Sequence, residues 1–288
     1  MAYVGYLLGL ILIYWIAASG STLAWRQHGL TVLCGAAGFG IGAYVAARAS
    51  GAAWPFGVGL GLATGVSAVF GAVFGLLVAR MHRDVAVVFS IAVQATASLL
   101  FLNLTGVTGG PMGMGGISSL AGGSAAGSEW AATLVVAAVA APSLILFSGA
   151  CHGGFGAKAR AAGENPVLLA ALGCDPSRVT ARVFAAAFSM FGLGGALFAH
   201  YATFVHPDSF TLAESMLLLC MVVLGRRGGV CATGLGVVCL LVLPEALRLV
   251  HLTTSSIGKI RGALLGGVLC VAALLLARSM REAGGGGQ

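Results

Sequence analysis

A carboxylate inside an apolar run is the first residue in this 288-residue chain to invite a chemical role: Glu214, within the stretch 210–224. Such a group is costly to bury, so it must face protein, water or a basic partner, and gate or pathway lining is one role open to it. The other is structural. Asp208-Ser209-Phe210 reads as a helix start, which puts Glu214 in the first or second turn, where the helix dipole favours negative charge. His200, Tyr201, His206 and Asp208 crowd the same end of the chain's apolar runs and suit an interfacial anchor. Thr108, Gly109 and Gly110, followed by Pro111, open a loop over 105–129 with turn chemistry. That loop is long for a passive connection, so it is read either as a flexible linker or as a gate or docking element.

Covalent and metal chemistry find little here. Seven cysteines (Cys34, Cys151, Cys174, Cys220, Cys231, Cys239 and Cys270) contain no C-x-x-C pair, so they read as small buried hydrophobes rather than ligands or nucleophiles. The six histidines are scattered without an H-E-x-x-H pattern. No catalytic residue, metal or cofactor is therefore expected.

A second group of residues suits mechanical work. In Gly156–Gly173, GAKARAAGENPVLLAALG, Asn165 can cap a helix, Pro166 suits its first position, and Gly173 can adopt the left-handed conformation that ends it. The spacing predicts a short helix over Pro166–Leu172, with Lys158, Arg160 and Glu164 as a charged lead-in. Leu168 and Leu169 belong to an apolar plug that fits a groove on another protein.

The elements that must position these groups follow from composition. Hydrophobic residues make up 59% of the chain and charged residues 8%, against about a quarter charged in soluble domains. The apolar runs are continuous rather than alternating, which excludes a barrel and gives an all-α polytopic membrane protein of eight or nine spans. They fall at 2–18, 29–47, 56–79, 85–104, 130–148, 178–201, 210–224, 229–247 and 261–277. The first lacks a basic leader and reads as a retained helix despite Ala17-Ala18-Ser19. The run 210–224 is short for a full crossing and reads as broken or partly re-entrant. Gly57, Gly61, Gly65, Ala68, Ala72 and Gly75 form a small-residue stripe suited to helix packing.

Basic residues orient the bundle. With the N-terminus outside, Arg26, Arg80, Arg83, Lys158, Arg160, Arg178, Arg182, Arg226, Arg227, Arg278 and Arg281 lie inside, and Arg48, Arg248, Lys259 and Arg261 outside. Gly156–Gly173 is then cytoplasmic. The formal charge of +7 is explained by this placement and calls for no nucleic acid.

Five segments, in this order, resemble the membrane subunits of branched-chain amino acid ABC importers, the LivM-type half more than the LivH-type. They are GFGIGAYVAA (38–47), LTGVTGGPMGMGGI (104–117), GENPVLLAALG (163–173), ALFAHYATFVHPDSFTLAESMLLLCMVVLG (196–225) and LVLPEALRLV (241–250). The resemblance covers roughly residues 25–277. It implies a single permease domain over 1–288 in the bacterial cytoplasmic (inner) membrane, without ATPase activity of its own. A second, LivH-type permease, cytoplasmic ATP-binding subunits and a periplasmic or extracellular solute-binding protein would be its partners. Glu164, Asn165, Pro166, Leu168, Leu169 and Gly173, in a cytoplasmic loop over 149–177, would couple it to the ATP-binding subunit. Arg226-Arg227-Gly228-Gly229 would be an inner turn, read as a topology anchor or a further contact with that subunit. The alternative is a self-contained secondary transporter or channel, which should show buried ion-coupling carboxylates or an inverted repeat.

Overall fold

The computed structural model describes residues 2–27, 29, 32–120, 128–225, 229–248 and 267. Among them lie eleven helices: α1 (Ala2–Thr22), α2 (Gly35–Gly51), α3 (Phe56–Val78), α4 (Arg83–Asn103), α5 (Thr105–Thr108), α6 (Ser128–His152), α7 (Gly154–Glu164), α8 (Pro166–Ala171), α9 (Pro176–Ala202), α10 (Leu212–Leu224) and α11 (Gly229–Arg248). The fold is all-α, and five helices are long and apolar enough to cross a membrane: α1 with its continuation to Trp25, α3, α4, α6 and α9. The chain divides into two compact units, Met1–Leu219 and Cys220–Gln288. Apart from residue 267, the expected span at 261–277 lies outside the described residues, as do the arginines Arg226 and Arg227.

In the first unit α9 is the axis. Asp175 caps it by accepting from the Ser177 N–H at 3.0 Å, Pro176 occupies its first position, and Arg178 pairs with Asp175 at 3.2 Å. Helices α1, α2 and α3 pack around it at backbone distance, since lipid supplies no hydrophobic drive and small residues let helices gain dispersion contacts instead. A Cβ on Gly195 would lie 1.9 Å from the Phe39 carbonyl oxygen, one on Gly42 2.2 Å from that of Gly192, and one on Gly20 2.5 Å from that of Ala187.

The packing face of α3 differs from the expected stripe. Its buried residues include Gly59, Ala63, Ser67, Gly71 and Gly75, while Gly57, Gly61 and Gly65 meet open space. The helix carries two small-residue rows two positions apart. The two rows converge on Gly75, which is buried as expected, and Ser67 of the buried row adds a hydroxyl that donates to the Gly38 carbonyl at 3.2 Å. Helices α4 and α6 lie outside this core and expose apolar residues such as Val88, Leu134, Ile145 and Leu146, as expected of faces turned to lipid or to another membrane subunit.

Three boundaries also move. Helix α1 runs past the expected residue 18 to Thr22 and continues as a wider turn to Gln27. Helix α2 begins at Gly35, six residues into the expected span of 29–47. Phe210 closes a 3-10 turn, Pro207–Phe210, and α10 starts only at Leu212. At 13 residues, α10 covers about 20 Å, in keeping with the short run read from the sequence.

Contacts within the unit fix which helix ends lie together. Trp130 of α6 and Tyr201 of α9 approach Gly5 and Gly9 of α1 at one end, and Gly75 of α3 meets Ala181 of α9 toward the other. By helix direction, Arg26, Arg80, Arg83, Lys158, Arg160, Arg178 and Arg182 fall toward the second end, hereafter the basic end, and Arg48 at the first. In the second unit, Gly225 and Gly236 give α10 and α11 a similar close approach: added Cβ atoms would lie 2.5 Å from the Ala232 oxygen and 2.0 Å from the Met221 oxygen.

Candidate functional site

At the basic end the charged lead-in is itself helical. Helix α7 turns sharply out of α6, where a Cβ on Gly156 would collide with the Cys151 carbonyl. It buries Gly156, Ala159 and Ala162 and leaves Lys158, Arg160 and Glu164 exposed. Arg83, in the first turn of α4, donates to the Gly163 carbonyl, one of the last carbonyls of α7, which lack a partner within the helix.

Helix α8 is built by its caps. The Asn165 side chain accepts from the Leu168 N–H at 3.0 Å, and Pro166 needs no partner at the first position. At the other end the Gly173 N–H bonds Ala170 O at 2.9 Å and the Cys174 N–H bonds Leu169 O at 3.2 Å. This is a Schellman closure, with Gly173 at φ +79°. The helix ends at Ala171, one residue short of the expected Leu172, which lies in the closing turn. Its apolar residues split between two faces. Leu169 is 3% exposed and packs against its own chain, whereas Val167, Leu168 and Leu172 are 77%, 57% and 72% exposed. The outward plug therefore consists of Val167, Leu168 and Leu172, without Leu169.

A second locus lies at the start of α2, and the sequence reading missed it. The first N–H groups of a helix have no partner within it; here Ala36 N donates to Ser215 Oγ at 2.9 Å and Ala37 N to Gln94 Oε1 at 2.8 Å. Gln94 is fully buried. Its Oε1 also accepts from Ser215 Oγ at 3.0 Å, and its Nε2 donates to the Phe210 carbonyl at 2.9 Å. Ser90 accepts from Leu33 N at 3.1 Å, and Ser98 donates to Phe210 O at 3.1 Å. The legible signal was Ser90, Gln94 and Ser98 at intervals of four in an otherwise apolar run, one polar row along one helix face.

Glu214 stands in the first turn of α10, half-buried, and accepts a short 2.5 Å hydrogen bond from the Tyr14 hydroxyl of α1. The bond ties the start of α10 to α1. Tyr14→Phe and Glu214→Leu should each lower stability by about 1.5–3 kcal/mol, the range for a hydrogen bond to a charged group, and the double variant should lose less than their sum. Thermal unfolding in detergent reads this. Glu214→Gln, which keeps an acceptor, should unfold near the parental temperature; if it transports poorly all the same, the carboxylate serves the pathway.

The loop from 105 is described as far as residue 120. Thr108 is buried, and its hydroxyl donates within reach of two carbonyls, Phe101 O at 2.7 Å and Leu104 O at 2.9 Å. Gly109 and Gly110 have φ of +76° and +60°, and a Cβ on Gly109 would lie 2.2 Å from the Gly113 oxygen. Met114 then pairs as a bridge with Val205. Thr108, Gly109 and Gly110 thus shape a tight turn. Nearby, His200 bonds Ser118 O at 2.9 Å, Tyr201 stacks on Tyr6, and His206 lies 3.4 Å from Asp208.

Residues 3–275 match the family described as the branched-chain amino acid transport system / permease component. The chain belongs to this family. It is 30% identical over 265 residues to the high-affinity branched-chain amino acid transport system permease protein LivM of Salmonella typhimurium, an alignment covering 82% of this chain and 62% of that protein. It is 28% identical over 270 residues to the protein of the same name from Escherichia coli, covering 83% of this chain and 62% of that one. The chain thus spans less than two thirds of the length of these relatives. No solved structure matches it. The family assignment agrees with the all-α, multi-pass architecture.

Proposed function

We propose that this chain is a transmembrane permease subunit of an ATP-driven importer for branched-chain amino acids or a similar small polar solute, in the bacterial inner membrane. In this reading a second, LivH-type permease completes the pathway, ATP-binding subunits sit at the basic end on the cytoplasmic side, and a solute-binding protein delivers solute from outside. The observation that carries it is α8 in a member of this family: a helix fixed by caps at both ends, presenting Val167, Leu168 and Leu172 to solvent. A rigid apolar knob transmits force only when seated in a partner. ATP-driven movement of that partner would push α8 and rock the spans between outward and inward openings. No residue of this chain performs covalent chemistry in that cycle; ATP is hydrolysed by the partners.

The test is reconstitution. Vesicles holding this chain with the second permease and the ATP-binding subunits should take up solute from its binding protein only with ATP inside the ATPase compartment. Vesicles holding this polypeptide alone should show none, and saturable uptake by the lone chain would establish a self-contained carrier or channel instead.

A further inference from the structure

Helix α4 differs from its neighbours in how it is attached. Its buried residues are Ala86, Ser90, Gln94, Ala97 and Phe101, while Val85, Val88 and Leu99 on its other faces are more than half exposed. Helices α2, α3 and α9 meet at glycine backbones, so close that no side chain could intervene, and sliding one past another would force clashes. Helix α4 instead presents hydrogen-bonding side chains. Ser90 holds Leu33 N, Gln94 holds Ala37 N and Ser215, and Gln94 with Ser98 holds Phe210 O. Bonds of this kind can be exchanged for others without repacking a core. At its basic end the same helix reaches, through Arg83, the last turn of α7. One helix therefore touches the α7–α8 hairpin at one end and grips the α2 start and the Phe210 turn along its length.

Resting on the importer reading above, we propose that α4 carries the stroke from the hairpin to the junction at α2. Arg83 is the link to the hairpin, and Gln94 is the releasable catch. Both are positioning residues. Moving α4 leaves the N–H groups of Leu33 and Ala37, the Ser215 hydroxyl and the Phe210 carbonyl to find new partners, because backbone groups at helix ends in an apolar surround do not stay unpaired. Gln94 suits a catch because its amide carries both an acceptor and a donor, and its Nε2 already lies 3.3 Å from Ser98 Oγ as a second acceptor.

The test uses the complete transporter in vesicles, built on a cysteine-free form of this chain that is first shown to transport. Leu33→Cys with Ser90→Cys puts two thiols on residues in direct contact, the Leu33 N–H lying 3.1 Å from the Ser90 hydroxyl. Oxidation should cross-link them and lower uptake at least tenfold, reductant should restore it, and each single variant should be indifferent to both. Arg83→Ala is at an exposed position, so folding is preserved; it should retain the ATP-binding subunits on pull-down yet hydrolyse at least fivefold more ATP per solute imported. Gln94→Met, which keeps length and removes both hydrogen-bonding atoms, should raise the same ratio. Undiminished uptake through a fully cross-linked pair, or a parental ATP-to-solute ratio in Arg83→Ala, overturns the proposal alone. A pair that neither oxidant nor a short bifunctional maleimide can join overturns the juxtaposition on which it stands. Absence of ATP-driven uptake in the parental complex overturns the importer reading itself.

Discussion

Val167→Asp combined with Leu168→Asp should release the ATP-binding subunits from this chain while leaving the chain folded. Both side chains are more than half exposed, so the undocked permease does not bury the new carboxylates. A docked partner would. An unpaired carboxylate buried in a protein groove costs several kcal/mol, and at about 1.4 kcal/mol per tenfold in affinity two of them should weaken docking by at least a hundredfold. Pull-down in detergent reads the docking, and vesicle uptake, which should fall to background, reads its consequence. Leu169→Asp is a different experiment. At 3% exposure that carboxylate is buried within the chain itself, so the expected result is a poorly folded hairpin and reduced yield. If the Val167/Leu168 variant still binds the subunits and transports at the parental rate, α8 is an ordinary helix lying on the bilayer surface.

How much of this was legible depends on how far away the deciding group lies. Helix α8 could be read because its determinants are local: Asn165, Pro166 and Gly173 sit within nine residues, and each acts through its own backbone. Which leucine faces out could not, since Leu168 and Leu169 are adjacent and only the neighbouring chain decides between them. Helix α7 went unrecognised because its glycines weaken helix propensity; burial of Ala159 and Ala162 overrides that. The start of α2 at Gly35 leaves no local mark in an apolar run that begins at residue 29. Its first N–H groups are satisfied by Gln94, 57 residues on, and by Ser215, 179 residues on. The turn at Thr108–Gly110 is legible as turn chemistry, but its attachment to the rest of the fold is not, because that depends on the Thr108 hydroxyl and on the Met114–Val205 bridge, which joins segments some ninety residues apart.

Glycine rows along α3 pose the same difficulty, and they set up the second large effect. Gly195→Leu should abolish the folded core, whereas Gly61→Leu should be tolerated. The first would drive a Cβ to 1.9 Å from the Phe39 carbonyl oxygen. That atom is backbone and cannot rotate away, so α2 and α9 would have to separate, losing contacts along both helices. Overpacking alone costs about 1–3 kcal/mol where side chains can adjust, and here neither partner can. We expect the yield of monodisperse protein in detergent to fall more than tenfold. Gly61 meets nothing within 4 Å, so a leucine there replaces glycine in a helix interior, a change that favours the helix by up to about 1 kcal/mol. Size-exclusion profiles and unfolding temperatures of the two variants measure the difference. Equal behaviour would mean that α9 is not the axis of a glycine-joined core. The contrast between a fixed core and a hydrogen-bonded α4 would then lose its physical basis, because that contrast requires α2, α3 and α9 to move as one body.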